Sequence, residues 1–180
     1  VDWDQRNPAH AHADESHEVS TTDPDAVLAL ARRIGIDAIT TFGSDPAVPT
    51  VARVAAALGL PGPDVDAVET LSRKNRFRTA QRAAGLPTPE FAVFGEGAGA
   101  DAASAALPAH PRIVYKPVDN CGSKGVTVVE GDAEGDAGAP AAALGPAPRH
   151  AAARRRALEH SRAGLGIVEQ YIDGVQLHGD

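Results

Sequence analysis

Lys116 stands in an apolar run, Ile113-Val114-Tyr115-Lys116-Pro117-Val118. In a strand alternate residues share a face, so Val114, Lys116 and Val118 fall together and Ile113, Tyr115 and Pro117 lie opposite. An ammonium between two valines is costly to bury unless an anion meets it. The competing reading is an exposed lysine on an edge strand, a position that Pro117 also suits. The next residues are Asp119-Asn120-Cys121-Gly122-Ser123-Lys124-Gly125. Two glycines flank Ser-Lys, so successive N–H groups can turn inward and cradle an anion, with the Ser123 hydroxyl and the Lys124 ammonium adding to it. The same residues also make a plain hairpin turn in which glycine supplies positive φ. The loop lacks the G-x-x-x-x-G-K-[ST] spacing, and a strand rather than a helix follows it.

Two further places could meet the same anion. Lys74 falls on one helical stripe with Phe77, Ala80 and Ala84, which sets it at the border of a buried side. Arg73, Arg76, Arg78 and Arg82 make the rest of that helix cationic and read as a solvated charged face. Glu169 and Gln170 lie inside the strand-like run Gly166-Ile167-Val168-Glu169-Gln170-Tyr171-Ile172. The end of such a strand can offer backbone N–H and C=O groups to the edge of a purine; ordinary alternation on a half-buried strand explains the run equally. Other candidates carry less. His10, His12, Asp14 and His17 sit in a polar stretch without closing metal ligands. Cys121 has no flanking base and reads as a small loop residue. Arg154-Arg155-Arg156 reads as a solvated helix face. There is no Ser-His-Asp pattern, no C-x-x-C pair and no G-x-G-x-x-G fingerprint.

The elements that must position these residues are punctuated clearly. Asp23 caps a helix over 24–34, Pro24 sits at its first position, and Gly35 closes it. Val27, Leu30, Ala31 and Ile34 make its apolar stripe. Residues 36–42 read as a short β-branched strand. A second helix runs from Asp45 or Pro46 to Leu58, ended by Gly59, with Pro49 tolerated in its first turn. Residues 60–67 are a Pro/Gly linker, and a third helix spans 70–84, ended by Gly85 and Pro87. Strands follow over 88–94, 112–118, 125–130 and 166–172, with a helix over 151–162 and a further strand starting at 175. A short helix is expected over 101–107. Residues 131–150, rich in Ala, Gly and Pro without period, read as a mobile surface loop.

Composition narrows the function classes. The net charge of −7 argues against a general nucleic-acid binder. No apolar run is long enough to span a membrane. Aromatic residues are only 4% of the chain, so Ala, Val, Leu and Ile must fill the core. A single cysteine cannot form an internal disulfide, which fits a reducing compartment and a cytoplasmic location.

Taken in order, the segments LSRKNRFRTAQRAAGLPTPEF, RIVYKPVDNCGSKGVTVV and GIVEQYIDGVQLHGD resemble the ATP-grasp superfamily, and within it the carboxylate–amine ligases and carbamoyl-phosphate-synthase-like members. In that family a helix lysine precedes a Gly-x-Pro-x-Pro segment, as Lys74 precedes Gly85-Leu86-Pro87-Thr88-Pro89. A V-x-K-P strand matches Lys116-Pro117. A Gly-Ser-Arg/Lys-Gly-Val loop matches Gly122-Ser123-Lys124-Gly125-Val126, and a V-E-x-x-I/L hinge matches Val168–Ile172. The stretch GSDPAVPTVARVAAALGLPG also looks like the family's pre-ATP-grasp domain. The resemblance implies an α/β (α+β) fold: a partial Rossmann-like pre-ATP-grasp domain over 1–67, a connecting helix and nucleotide lid over 68–172, and the start of a large subdomain over 173–180. It implies ATP and Mg²⁺ as cofactors, and a small-molecule carboxylate and an amine as substrates, joined through an acyl phosphate. Nucleic acid and membrane are not expected partners, and a homodimer is compatible with the family.

The resemblance also assigns roles. Lys74 and Lys116 would neutralise the α- and β-phosphates, and Gly122, Ser123, Lys124 and Gly125 would cover the β- and γ-phosphates. Glu169, Gln170 and Ile172 would hold the adenine edge. Gln176 would meet the ribose, where the family usually has an acidic residue. The family's Mg²⁺ carboxylates and substrate arginine come after the position matched by Asp180, so no catalytic or metal residue is expected here. The opening VDWDQRNPAHAHAD looks like that domain's second strand. With no Met in the chain, a piece cut from both ends of a longer ligase, inactive by itself, is the expectation. Two rivals stand beside it: an ATP-binding module without turnover, and a Rossmann-like domain for another anion.

Overall fold

A computed structural model of the chain describes residues 1–96, 110–130 and 148–175. The expected helix over 101–107, nearly all of the loop expected over 131–150, and Gln176 with its strand lie outside the described residues. The chain divides into two compact units, Val1–Arg73 and Lys74–Asp180.

The first unit holds three helices: α1 (Pro24–Ile34), α2 (Val48–Leu58) and α3 (Val65–Ser72). The caps behave as their residue types demand. The Asp23 carboxylate accepts from Ala26 N at 3.0 Å, and Gly35 and Gly59 end α1 and α2 with φ of 70° and 67°. Val27 and Ala31 pack on Val54, with Leu28, Ile36, Ile39 and Leu58 around them. Ile34, expected on the buried stripe, is exposed. The second helix begins as a 3-10 turn over Asp45–Ala47 before α2 proper.

Three expectations fail in this unit. Residues 36–42 form no strand, because no neighbouring strand among the described residues pairs with them. Ile36 and Ile39 instead pack on the helices, and Phe42 is fully exposed. The opening residues likewise make a 3-10 helix, Pro8–His12, and a single parallel bridge between Asp2 and Glu18 rather than a strand. Finally, the linker ends early. Asp64 caps α3 by accepting from Ala67 N at 2.8 Å, and the expected helix over 70–84 is broken at Arg73, whose backbone is extended. The Arg73 guanidinium turns back one helical turn to the buried Glu69, at 2.7 Å, and Arg53 meets the other oxygen of that carboxylate.

The second unit opens with α4 (Lys74–Ala83) and continues with β1 (Phe91–Gly95), β2 (Arg112–Pro117), β3 (Thr127–Glu130), α5 (Pro148–Glu159) and β4 (Leu165–Gln170). The strands form one antiparallel sheet in the order β1-β4-β2-β3. The α5 helix covers one face through Ala153 and Ala157, which pack on Phe94, Ile113, Tyr115, Val129 and Val168. Gly166 lies on that face because Phe94 occupies its side-chain space: a Cβ there would come within 2.2 Å of the ring. Tyr115, buried in this core, shares a 3.0 Å hydrogen bond with His150. Alternation then sends Val114, Lys116, Ile167 and Glu169 to the opposite face. The fold is therefore mixed α and antiparallel β, as expected.

Candidate functional site

The site grows from the sheet face that α5 leaves uncovered. Val114 pairs with Glu169 and Lys116 with Ile167, so Lys116 and Glu169 are diagonal neighbours on one face, within reach of long side chains. The Lys116 ammonium donates to Glu169 Oε2 at 2.6 Å. β2 lies between β4 and β3, so Lys116 is not the edge-strand lysine that the competing reading required.

The α4 helix supplies the rest. Its first residue, Lys74, has no intrahelical acceptor for its N–H, which donates to Val118 O just past β2 at 2.9 Å. Its ammonium donates to Asn120 O at 2.6 Å. One turn later Arg78 reaches Glu169: Nε donates to Oε1 at 2.9 Å and Nη2 lies 3.4 Å from Oε2. Its remaining nitrogen, Nη1, donates to Gln81 Oε1 at 2.8 Å. The inward side of α4 is thus Lys74, Phe77, Arg78 and Gln81, whereas Ala80 and Ala84 of the expected stripe are exposed. Arg78 is the residue that sequence reasoning missed. Its signal was the i,i+4 spacing from Lys74, hidden among three other arginines, Arg73, Arg76 and Arg82, on one stretch.

Charge in this cluster is unevenly matched. Glu169 is 2% exposed. Burial alone would raise its pKa, but the hydrogen bonds and charges of Arg78 and Lys116 outweigh that and hold it below the usual carboxylate value. Lys74 moves the other way. Burial and the neighbouring Lys116 ammonium push its pKa down, against the weaker pull of Asp119, Glu169 and Cys121. The acceptor of its ammonium, Asn120 O, is a neutral carbonyl.

The loop after β2 is anchored at its base. The Asp119 carboxylate accepts from Ser161 Oγ at 2.9 Å, Arg162 N at 3.2 Å and Ala163 N at 2.7 Å, and Asn120 Nδ2 donates to His160 O at 2.8 Å. Above that base Gly122 and Ser123 are both left-handed, with φ of 63° and 57°, and Gly122, Ser123 and Lys124 are exposed. Gly125 is left-handed too, but buried against His160. At the end of β4, Gln170 N donates to Glu90 O at 2.8 Å and Tyr171 N to Arg112 O at 3.1 Å. Ile172, one residue on, is exposed. The structure thus brings together Lys74, Lys116 and Glu169 and ties Lys74 to the base of the Gly122–Gly125 loop. Among the described residues no group of three or more His, Cys, Asp or Glu side chains is placed to hold a metal ion.

No family model matches the chain. Among curated proteins, phosphoribosylamine–glycine ligase from Streptomyces coelicolor is 31% identical over 173 residues, which are 95% of this chain and 36% of that protein. The chain spans about a third or less of the curated relatives it matches, 36% and 24%. Among solved structures, an L-amino acid ligase from Bacillus licheniformis matches 84% of this chain and 31% of its own, with TM-score 0.57 and 28% identity. A biotin carboxylase domain dimer from Hydrogenobacter thermophilus, in complex with MgADP, matches 91% of this chain and 36% of its own, with TM-score 0.60 and 18% identity. These structural neighbours are ATP-grasp enzymes, and the chain has their fold, a mixed α and antiparallel β arrangement.

Proposed function

We propose that this chain is the ATP-binding portion of a ligase that joins a small-molecule carboxylate to an amine. The observation that carries the reading is the meeting of Lys74 and Lys116. They come from a helix and a strand that no local rule brings together, and the Lys116 charge helps push the Lys74 pKa down. A half-buried ammonium weakened by burial and by a second cation gains from a polyanion, and a triphosphate supplies one. The exposed amides and side chains of Gly122, Ser123 and Lys124 suit the distal phosphates. The N–H groups of Gln170 and Tyr171 are committed to Glu90 and Arg112, so a purine edge reaching the end of β4 falls to Ile172.

In this reading the γ-phosphoryl group passes to the carboxylate oxygen as ADP departs, and the amine then displaces phosphate from the acyl phosphate. Lys74, Lys116 and the loop amides hold and neutralise the phosphates while that charge moves. Among the described residues no group of carboxylates is placed to hold Mg²⁺. The similarity to a phosphoribosylamine–glycine ligase and to an L-amino acid ligase supports the class of reaction. A reducing, cytoplasmic setting belongs to the same reading and rests on the single cysteine. No helix among the described residues is long and apolar enough to cross a membrane.

Calorimetric binding of ATP and adenosine to the wild type, Lys74→Ala, Lys116→Ala and the double variant tests the assignment. Each single change is expected to weaken ATP by about 1.5–3 kcal/mol and adenosine far less. The two losses should be non-additive, because both residues share one partner. If both single variants bind ATP like the wild type, the nucleotide reading fails.

A further inference from the structure

We propose that Arg78 is a positioning residue that holds the Glu169 carboxylate in place, so that Lys116 can leave it for a phosphate. This rests on the nucleotide reading above, and it concerns what that reading requires of the free site. Lys116 does not wait there as an unengaged cation: its ammonium is bound to Glu169 at 2.6 Å. For Lys116 to serve a phosphate, that bond must be given up or shared. Glu169 is nearly inaccessible to water, so the carboxylate that Lys116 leaves needs another counterion, or the exchange strands a buried charge.

Arg78 has the geometry of that second counterion. Two of its three nitrogens engage the two carboxylate oxygens side-on, and the third is held by Gln81. A guanidinium used in this way is fixed by its own plane. Lys116 is the opposite case. It has a long flexible stem and three donor hydrogens, and its ammonium donates to Glu169 Oε2. Both side chains are 23% exposed, so the difference between them lies in geometry rather than in access to water. Arg78 is therefore the stationary partner of Glu169 and Lys116 the exchangeable one. The i,i+4 spacing of Lys74 and Arg78 on α4 sends both side chains to the same sheet face. One helix thus places Lys74 for the phosphate and the residue that releases Lys116 toward it.

Inorganic tripolyphosphate is the probe of choice, because it has no base to contact Glu169 itself. The full 180-residue chain is titrated calorimetrically with tripolyphosphate and, separately, with ATP. The variants are Arg78→Gln, Arg78→Lys, Glu169→Gln and the double Arg78→Gln/Glu169→Gln. Arg78→Gln is expected to weaken both ligands about tenfold, the size of one charge-assisted hydrogen bond. Arg78→Lys should recover part of that loss. Glu169→Gln removes the charge that detains Lys116, so it should bind tripolyphosphate at least as tightly as the wild type. In that background Arg78→Gln should change the affinity less than about threefold, since nothing is left for Arg78 to neutralise. The double variant buries no unpaired carboxylate, which keeps the comparison readable if Arg78→Gln alone folds poorly. Wild-type affinity in Arg78→Gln overturns the proposal. So does a tenfold loss that persists in the Glu169→Gln background, which would mean that Arg78 meets the phosphate itself. A wild type that binds neither ligand overturns the nucleotide reading, and this inference with it.

Discussion

Replacing Glu169 with Gln should destabilise the second unit by an amount that disappears in acid. The carboxylate is 2% exposed and sits against two cations at 2.6 and 2.9 Å. Gln keeps the shape but removes the charge, and its amide nitrogen must face a cation. Breaking a buried ion pair by removing one partner costs about 3–5 kcal/mol. Arg78 and Lys116 keep 23% exposure, so water and local movement recover part of that cost. The expected loss at pH 7 is therefore about 2–3 kcal/mol, or roughly 10 °C in Tm for a unit of this size. The pH dependence follows from linkage. The folded-state pKa of Glu169 lies below the usual carboxylate value. Its stabilisation is then fully present above that usual value and is lost as pH falls through the lower, folded one. Compared at pH 7 and in acid below that lowered value, the wild type and Glu169→Gln should converge at the acid end. Urea unfolding is the assay. Tyr115 and Tyr171 both lie in the second unit and Trp3, the single tryptophan, in the first, so near-ultraviolet signals separate the two transitions. A difference under about 0.5 kcal/mol at pH 7, within the range of an ordinary surface change, would refute the reasoning. So would a difference of the same size at both pH values.

The paired glycines of the loop should behave differently. Gly122→Ala meets only the left-handed backbone cost of about 1–2 kcal/mol, because a Cβ there has nothing within 4 Å. Gly125→Ala adds a Cβ 2.6 Å from His160 Cβ, so it should lower the urea midpoint clearly further; equal midpoints would contradict the packing described for Gly125. Lys74 should make ATP binding weaken at a lower pH than an ordinary lysine would, since its pKa is depressed by burial and by Lys116. ATP affinity measured from neutral to alkaline pH should show that fall in the wild type and a flatter profile in Lys74→Arg, which stays charged. Between the depressed folded value and the ordinary one the unfolded chain binds more protons, so Lys74 should also make the folded state gain stability as pH rises through that window.

Local chemistry made much of this chain legible. Asp23 and Gly35 bracket α1 because a side-chain acceptor and a left-handed glycine are rules of a single turn. Strict alternation split Ile113 and Tyr115 from Val114 and Lys116, and the core and the site occupy those two faces. Such signals need only near neighbours, so the sequence carries them. What depended on partners far along the chain was not legible. Residues 36–42 have strand-forming side chains, but a strand requires a ladder, and none of the described residues supplies one. The single expected helix over 70–84 breaks at Arg73, where Glu69 draws the guanidinium back and Val118 takes the Lys74 N–H. Arg78 was indistinguishable from its neighbouring arginines because an arginine's role is set by what it faces. The buried carboxylate of Glu169, 91 residues away, picks it out of the four on that stretch. Charge pairing across a sheet face is a property of register and packing, and only the folded chain decides it.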